Sequence, residues 1–230
     1  MKLNQMNELA LFAGVGGGLL GTQEIGLHPV CAVEINEHRR HILLERQEQG
    51  FLHKFPVWDD IYSFSGKKWR DSVKIITGGF PCQAFSTAAR GRNNAINLWT
   101  EMARVIMEVL PTYVFAENVT KKAIEYAAHD CAQMGYKTEA ISLSAADLGA
   151  DHVRERFWLL AYTDDKSELR RCVNAKVEMC QKFHEGIWQT KPDYSRMDDG
   201  VSGRVDRYEA TGNGQVPIVA AAALWSLANA

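Results

Sequence analysis

The sequence lacks the cysteine pattern of a disulfide framework or a structural zinc site. Its five cysteines are an odd number, and no two of them are separated by only two residues. Disulfide-rich secreted domains and zinc ribbons depend on paired or closely spaced cysteines. The cysteines therefore indicate a protein of a reducing, cytoplasmic environment, and we expect no metal site.

Long hydrophobic runs and an excess of charge of one sign are also missing. The apolar segment 220–227 is too short to cross a bilayer, and residues 1–5 lack the apolar run of a signal peptide. We therefore expect no contact with a membrane.

The charges of the chain are nearly balanced. With 26 Lys and Arg against 28 Asp and Glu, the net charge is only −2. A protein of this balance that binds nucleic acid must concentrate its basic residues locally.

What the chain does contain is an alternation of short apolar segments with longer segments of helical periodicity. Predicted strands cover 8–12, 30–34, 73–77, 113–116 and 156–162, and predicted helices cover 19–25, 37–49, 98–110, 121–134 and 216–228. Alternating strands and helices form a parallel sheet with helices on both faces. We expect an α/β, doubly wound, mostly parallel sheet whose ligands bind beyond the carboxyl ends of its strands.

Two residues with reactive side chains follow predicted strands. Cys82 lies on a turn made stiff by glycine and proline, just after strand 73–77. A thiol in that place is a candidate nucleophile. Glu117 follows strand 113–116 and would lie at the same edge of the sheet. Taken alone, a glutamate at the end of a strand is more often structural than catalytic.

A glycine-rich loop, Gly14–Gly18, lies between the first predicted strand and the first predicted helix. Glycines there permit a tight turn and close approach of the backbone to a ligand. Glu34 ends the next strand about twenty residues later, a spacing that suits a carboxylate bound to ribose hydroxyls. A nicotinamide dinucleotide is an alternative ligand, but it would leave Cys82 and Glu117 unexplained.

Five motifs, taken in order, resemble those of the C5-cytosine DNA methyltransferase family. They are the loop that begins at Phe12, Pro-Cys at 81–82, Glu-Asn-Val at 117–119, Arg-Glu-Arg at 154–156 and Gly-Asn-Gly-Gln-Val at 212–216. The resemblance implies a Rossmann-like enzyme that uses S-adenosylmethionine to methylate C5 of cytosine in double-stranded DNA. The target base would leave the helix, because its C5 and C6 are not reached inside a duplex.

The resemblance also implies roles for individual residues. Cofactor-binding roles fall on Phe12, Gly14, Gly16, Gly17, Glu34, Asp60, Ile61, Pro81 and Asn213. Catalytic roles fall on Cys82, which would attack C6, on Glu117, which would contact N3, and on Arg154 and Arg156, which would hold the base. Contacts with DNA fall on Gln83, Ser86, Arg90 and Arg92. Because alternate residues of a strand share a face, we expect Arg154 and Arg156 to point the same way.

The chain departs from the family pattern in three places. Ala10 stands where the family often has Asp, His152 stands where Gln is usual, and the last motif has two residues, Gly214-Gln215, where the family has one.

We expect three parts: a catalytic domain at 1–163, a short target-recognition region at 164–198, and a segment at 199–230 that returns to the catalytic domain. The middle part is polar and poorly periodic, and Lys166, Arg170, Arg171 and Lys176 are its candidate phosphate-binding residues. A region this short predicts a short or relaxed recognition sequence, or a partner chain that supplies recognition. The compact chain suggests an enzyme of phage or restriction–modification origin.

Two other functions remain open on the same fold. One is a methyltransferase homologue that binds cofactor or DNA without turnover, and the other is an RNA cytosine methyltransferase. The intact set of Cys82, Glu117, Arg154 and Arg156 argues against the first.

Overall fold

The computed structural model describes residues 5–81, 97–175 and 214–230. Its strands are β1 (Asn7–Leu11), β2 (His28–Val33), β3 (Val57–Trp58), β4 (Ile75–Gly79), β5 (Tyr113–Asn118), β6 (Lys137–Leu143) and β7 (Arg156–Tyr162). Its helices are α1 (Gly17–Glu24), α2 (Glu37–Glu48), α3 (Trp99–Val109), α4 (Lys121–Gln133), α5 (Ser167–Asn174) and α6 (Pro217–Asn229), with short 3₁₀ turns at Gly66–Trp69 and Ala146–Leu148.

The strands form one seven-stranded sheet in the order β3-β2-β1-β4-β5-β7-β6. Strands β1 to β5 run parallel to their neighbours among themselves, and β7 runs antiparallel to both β5 and β6. The prediction of a doubly wound, mostly parallel α/β sheet is confirmed.

Alternation along the central strands builds a core on each face of the sheet. Val114 and Ala116 of β5 pack in one cluster with α3 and α4. Tyr113 and Phe115 of the same strand pack in another cluster with α5 and α6. All six residues of β5 are buried, which is typical of a strand covered by helices on both faces. Helices thus cover both faces of the sheet, and the carboxyl ends of its strands are the place where a ligand can bind.

Two strands and one helix were not predicted. Strand β3 has only two residues, and β6 lies at the sheet edge with no fully buried residue, so neither carries a strong apolar pattern. Helix α5 lies in the stretch that we read as polar and poorly periodic. Its Leu169 and Val173, four residues apart, are fully buried beneath α6. One apolar pair in a short helix is too weak a signal to read from sequence.

The expectation that Lys166 binds phosphate is wrong, because its side chain is buried inside the protein. Its Nζ donates to both carboxylate oxygens of Glu139 at 2.8 Å and to the carbonyls of Leu227 and Ala230 at 3.0 Å. Arg170 Nε donates to the Ala228 carbonyl at 3.0 Å. Carbonyls in the last turn of a helix have no partner within the helix. Lys166 and Arg170 therefore cap the C-terminal end of α6. The assignment of 164–198 to target recognition stays a prediction, and residues 176–198 lie outside the described part of the chain.

Replacing Lys166 with methionine is expected to lower the free energy of unfolding by about 2 kcal/mol, because a partly buried ion pair and two carbonyls lose their donor. Urea unfolding measures the change. The matched control is Lys121→Met, since Lys121 pairs with Glu125 while their side chains are 73% and 59% exposed. Removal of that pair should cost less than about 0.5 kcal/mol. Equal losses in the two variants would contradict the capping role.

A second buried ionisable group lies beneath α1. Glu8 of β1 is fully buried, and its two carboxyl oxygens accept hydrogen bonds from Thr77 Oγ1 at 2.5 Å and Thr22 Oγ1 at 2.8 Å. Burial raises the pKa of Glu8 from 4.5 to about 7, and the two threonine hydroxyls offset part of that rise. The carboxyl is therefore protonated in the folded protein at pH values where the unfolded chain is ionised.

The Glu8→Gln variant should be more stable than the wild type above neutral pH and equally stable near pH 4. The wild type loses stability as pH rises from the unfolded pKa of 4.5 towards 7, because only the unfolded state releases the proton. At pH 8 the difference should approach about 3 kcal/mol, while an amide keeps both threonine contacts. Urea unfolding at several pH values measures it. The control Glu24→Gln, at the exposed end of α1, should keep the wild-type pH dependence.

Candidate active site

The carboxyl ends of β1, β2, β4 and β5 surround one cleft of about 330 Å³. Of the residues predicted to act, it is lined by Phe12, Gly14, Glu34, Ile61, Pro81 and Glu117. Residues more than a hundred positions apart in sequence thus meet in one place, as expected for the carboxyl edge of a parallel sheet. Cys82, Gln83, Ser86, Arg90, Arg92 and Asn213 lie outside the described residues.

Glu34 lies at one end of the cleft and is held by backbone donors. Its carboxylate oxygens accept hydrogen bonds from Gly14 N at 2.7 Å and Asn36 N at 2.9 Å, and only 4% of the residue is exposed. Arg39 Nη1 lies 3.9 Å away and also lines the cleft. A carboxylate oxygen with one donor keeps a free lone pair, so Glu34 can still accept from a ligand hydroxyl. Sequence reasoning found Glu34 but missed Arg39.

The loop after β1 is shaped by left-handed backbone. Phe12 has a φ of 55° and Gly14 a φ of 57°. Such a φ is uncommon for a bulky residue and costs on the order of 1 kcal/mol or more, which packing must compensate. The Phe12 ring packs against the core and also lines the cleft. A Cβ on Gly14 would meet nothing within 4 Å, so this glycine is needed for its φ and leaves open space beside it.

Gly16 and Gly17 do not line the cleft, because neighbouring chain segments fill the space beside them. A Cβ on Gly16 would lie 2.7 Å from Leu43 Cδ2, and a Cβ on Gly17 would lie 2.0 Å from the carbonyl oxygen of Gln215. Both glycines therefore permit close packing under the loop. Their direct contact with a cofactor stays a prediction.

The segment after β3 forms another wall of the cleft. Ile61 lines it, whereas Asp60 accepts a hydrogen bond from Tyr62 N at 2.9 Å and organises the turn. Arg104 of α3 donates to the carbonyls of Ile61 at 2.6 Å and Phe64 at 3.0 Å. Arg104 thus fixes this wall from outside, although no motif included it. A direct cofactor contact by Asp60 stays a prediction.

Glu117 lies at the opposite end of the cleft and is almost fully buried. Arg156 Nε binds its Oε1 at 3.0 Å, and Gln215 Nε2 donates to its Oε2 at 3.4 Å. Burial raises the pKa of Glu117, and Arg156, Gln215 and Arg154 offset part of that rise. A carboxyl in this setting keeps its proton to higher pH than a free glutamate, and it can donate that proton to a ligand.

The reason given for the placement of Arg154 is wrong, although the two arginines do approach the same carboxylate. Strand β7 begins only at Arg156, and Arg154 precedes it with a left-handed φ of 35°. Its Nη2 donates to the carbonyl of Gly214. The direction of the Arg154 side chain is therefore set by the turn before β7 and by the hydrogen bond to Gly214, and not by strand alternation.

Asn118, next to Glu117, fixes the backbone that leads to the predicted nucleophile. Its Nδ2 donates to the Phe80 carbonyl at 2.8 Å, and its Oδ1 accepts from Thr120 N at 3.1 Å. Phe80 and Pro81 also line the cleft, between its two ends. The described chain therefore reaches Pro81, the residue before Cys82 in sequence, within the cleft.

Two further findings concern the described residues only. None of their helices is long and apolar enough to cross a membrane. They contain no group of three or more His, Cys, Asp or Glu side chains that would hold a metal ion.

Comparison with known proteins gives consistent matches. The family model described as C-5 cytosine-specific DNA methylase matches residues 6–211. The chain is 30% identical over 176 residues to the type II methyltransferase M.Eco47II of Escherichia coli, covering 72% of this chain and 41% of that protein. It is 28% identical over 174 residues to M.HhaI of Haemophilus parahaemolyticus, covering 71% and 51%. The chain thus spans about half the length of the curated relatives it matches.

Solved structures show the same fold. The Entamoeba histolytica methyltransferase EhMeth matches with a TM-score of 0.57 at 18% identity, over 71% of this chain and 54% of that one. Spodoptera frugiperda DNMT2, solved as a mutant, matches with a TM-score of 0.56 at 19% identity, over 69% and 50%.

Proposed function

The chain belongs to the C-5 cytosine-specific DNA methylase family, and from this we propose that it transfers a methyl group from S-adenosylmethionine to C5 of cytosine in double-stranded DNA. One observation carries the proposal. The Glu34 end and the Glu117 end of a single cleft are joined by Phe80 and Pro81, the residues that lead into Cys82.

The residues at the Glu34 end suit the cofactor. A fixed carboxylate with free lone pairs fits ribose hydroxyls, and the apolar side chains of Phe12 and Ile61 fit an adenine ring. When bound, S-adenosylmethionine supplies an electrophilic methyl group on a sulfonium. Gly16, Gly17, Asp60 and Asn213 are further proposed contributors, through the shape of the pocket or through contacts that need a ligand to be seen.

The residues at the other end suit the activation of cytosine. Cys82, as thiolate, would add to C6 of a flipped base, and the electron pair moves to C5, which becomes nucleophilic. Glu117 would donate its proton to N3 as negative charge develops there, and Arg156 orients that carboxyl. Arg154 and Arg156 together would hold the base. Water would then take the C5 proton, N3 would return its proton to Glu117, and departure of the thiolate would restore the ring double bond.

DNA contacts are proposed for Gln83, Ser86, Arg90 and Arg92, which follow the nucleophile in sequence. The 164–198 segment is proposed to read the target, alone or with a partner chain. The relatives named as type II methyltransferases favour a restriction–modification setting.

The test is transfer of a labelled methyl group from S-adenosylmethionine to mixed-sequence duplex DNA, with RNA of matched composition measured in parallel. Label in DNA and not in RNA is the expected result. Label in RNA only would mean that the substrate is RNA and not DNA. A protein that binds S-adenosylhomocysteine but labels neither polymer, even at high enzyme concentration, would be a binding protein, and the proposal would fall.

A further inference from the structure

Gln215 occupies a socket formed by three glycines from two elements. A Cβ on Gly17 would lie 2.0 Å from the Gln215 carbonyl oxygen, and a Cβ on Gly18 would lie 2.2 Å from its Oε1. A Cβ on Gly79, at the end of β4, would lie 3.1 Å from its Nε2. The first two distances are far below van der Waals contact, so the backbone and amide of Gln215 fit only because glycines face them. The socket fixes this side chain more firmly than an exposed amide would be held.

The fixed amide is directed at the catalytic carboxyl proposed above. Its Nε2 donates to Oε2 of Glu117 at 3.4 Å, while Arg156 Nε binds Oε1 at 3.0 Å. Each carboxyl oxygen therefore has a donor of its own, and the two donors come from different parts of the chain. A carboxyl held at both oxygens cannot rotate about its terminal bond without loss of a contact. Gly79 leaves room for this arrangement, because a Cβ at that position would lie 2.6 Å from Glu117 Oε2.

We propose that Gln215 is a positioning residue that holds Glu117 in the orientation needed to address the target base, and that it links this carboxyl to the glycine-rich loop. The inference rests on the proposed function. Gly17 and Gly18 would then have a second role. The loop that shapes the Glu34 end of the cleft would also hold the residue that orients the carboxyl at the Glu117 end. Neither glycine spacing nor the last motif pointed to this contact in the sequence.

The test is Gln215→Met in the full chain, which keeps the side-chain length and removes the donor. Single-turnover methyl transfer should fall about tenfold, the effect of one lost hydrogen bond to a charged group. Binding of S-adenosylhomocysteine should stay within about twofold by calorimetry, since no cofactor contact is removed. Gln133→Met, on the exposed end of α4, is the matched control and should retain the wild-type rate.

A pH profile separates positioning from general damage. The charged groups around Glu117 among the described residues are Arg154 and Arg156, and neither is altered. Gln215 favours the ionised carboxylate, so without it the falling alkaline limb of the rate should move to higher pH. An unchanged rate and profile in Gln215→Met would overturn the inference, as would a parallel loss of cofactor binding and rate. Gln215→Leu, which also removes the donor and adds no charge, must give the same direction. A wild type that is itself inactive would refute the proposed function instead.

Discussion

Methyl transfer to DNA by the Cys82→Ser variant is expected to fall by at least about 10³-fold, because a serine hydroxyl is hardly ionised near neutral pH and adds poorly to C6. The frame around position 82 should be unaffected. Asn118 holds the Phe80 carbonyl at 2.8 Å through a contact that the substitution does not touch. Cofactor binding should therefore persist within about twofold. Labelled methyl transfer and calorimetric binding of S-adenosylhomocysteine measure the two quantities.

The matched control for this variant is Cys172→Ser. Cys172 is partly buried on α5, remote from the cleft lining, and its substitution should leave the transfer rate within about twofold. A second readout is the covalent complex with DNA, which the wild type should form and Cys82→Ser should not. Transfer by Cys82→Ser at the wild-type rate would contradict the covalent route even if the wild type methylates DNA.

Much of the fold could be predicted because its central strands are buried on both faces. Strand β7 matches its predicted range, and every end of β1, β2, β4 and β5 lies within two residues of its predicted position. The family resemblance, which rested on five motifs in order, is confirmed by the match over residues 6–211. Edge strand β6 and helix α5 escaped prediction because each buries too few residues to leave a clear pattern.

The candidate site was predictable where a residue's role is set by its position at a strand end. Glu34 and Glu117 are such residues, and both line the cleft. Arg104 and Gln215 were not predictable, because each acts through a partner that only the fold brings near: the Ile61 carbonyl lies 43 positions away from Arg104, and Glu117 lies 98 positions away from Gln215. Spacing along a chain carries no information about such contacts. Residues at strand ends can be placed from motifs, while those that hold them in position require the structure.

The Glu117→Gln variant is expected to lose about 10²- to 10³-fold in the single-turnover rate, because an amide has nearly the same shape but holds no acidic proton for N3. Its carbonyl oxygen can still accept from Arg156, so the fold should remain, with a cost of about 1 kcal/mol in the free energy of unfolding.

The pH dependence makes this expectation specific to the Glu117 proton. Burial raises the pKa of Glu117, and the acid form is the one that donates. The wild-type rate should therefore fall as pH rises through that pKa, and Glu117→Gln should lack this limb while it keeps the rising limb from ionisation of Cys82. The control Glu125→Gln, exposed on α4, should show both limbs at the wild-type rate. A Glu117→Gln enzyme with a rate within about threefold of the wild type would exclude this carboxyl as the proton donor, since general acid catalysis contributes far more than that. The cytosine would then have to be activated by the two arginines alone, and Gln215 would have no catalytic carboxyl to orient.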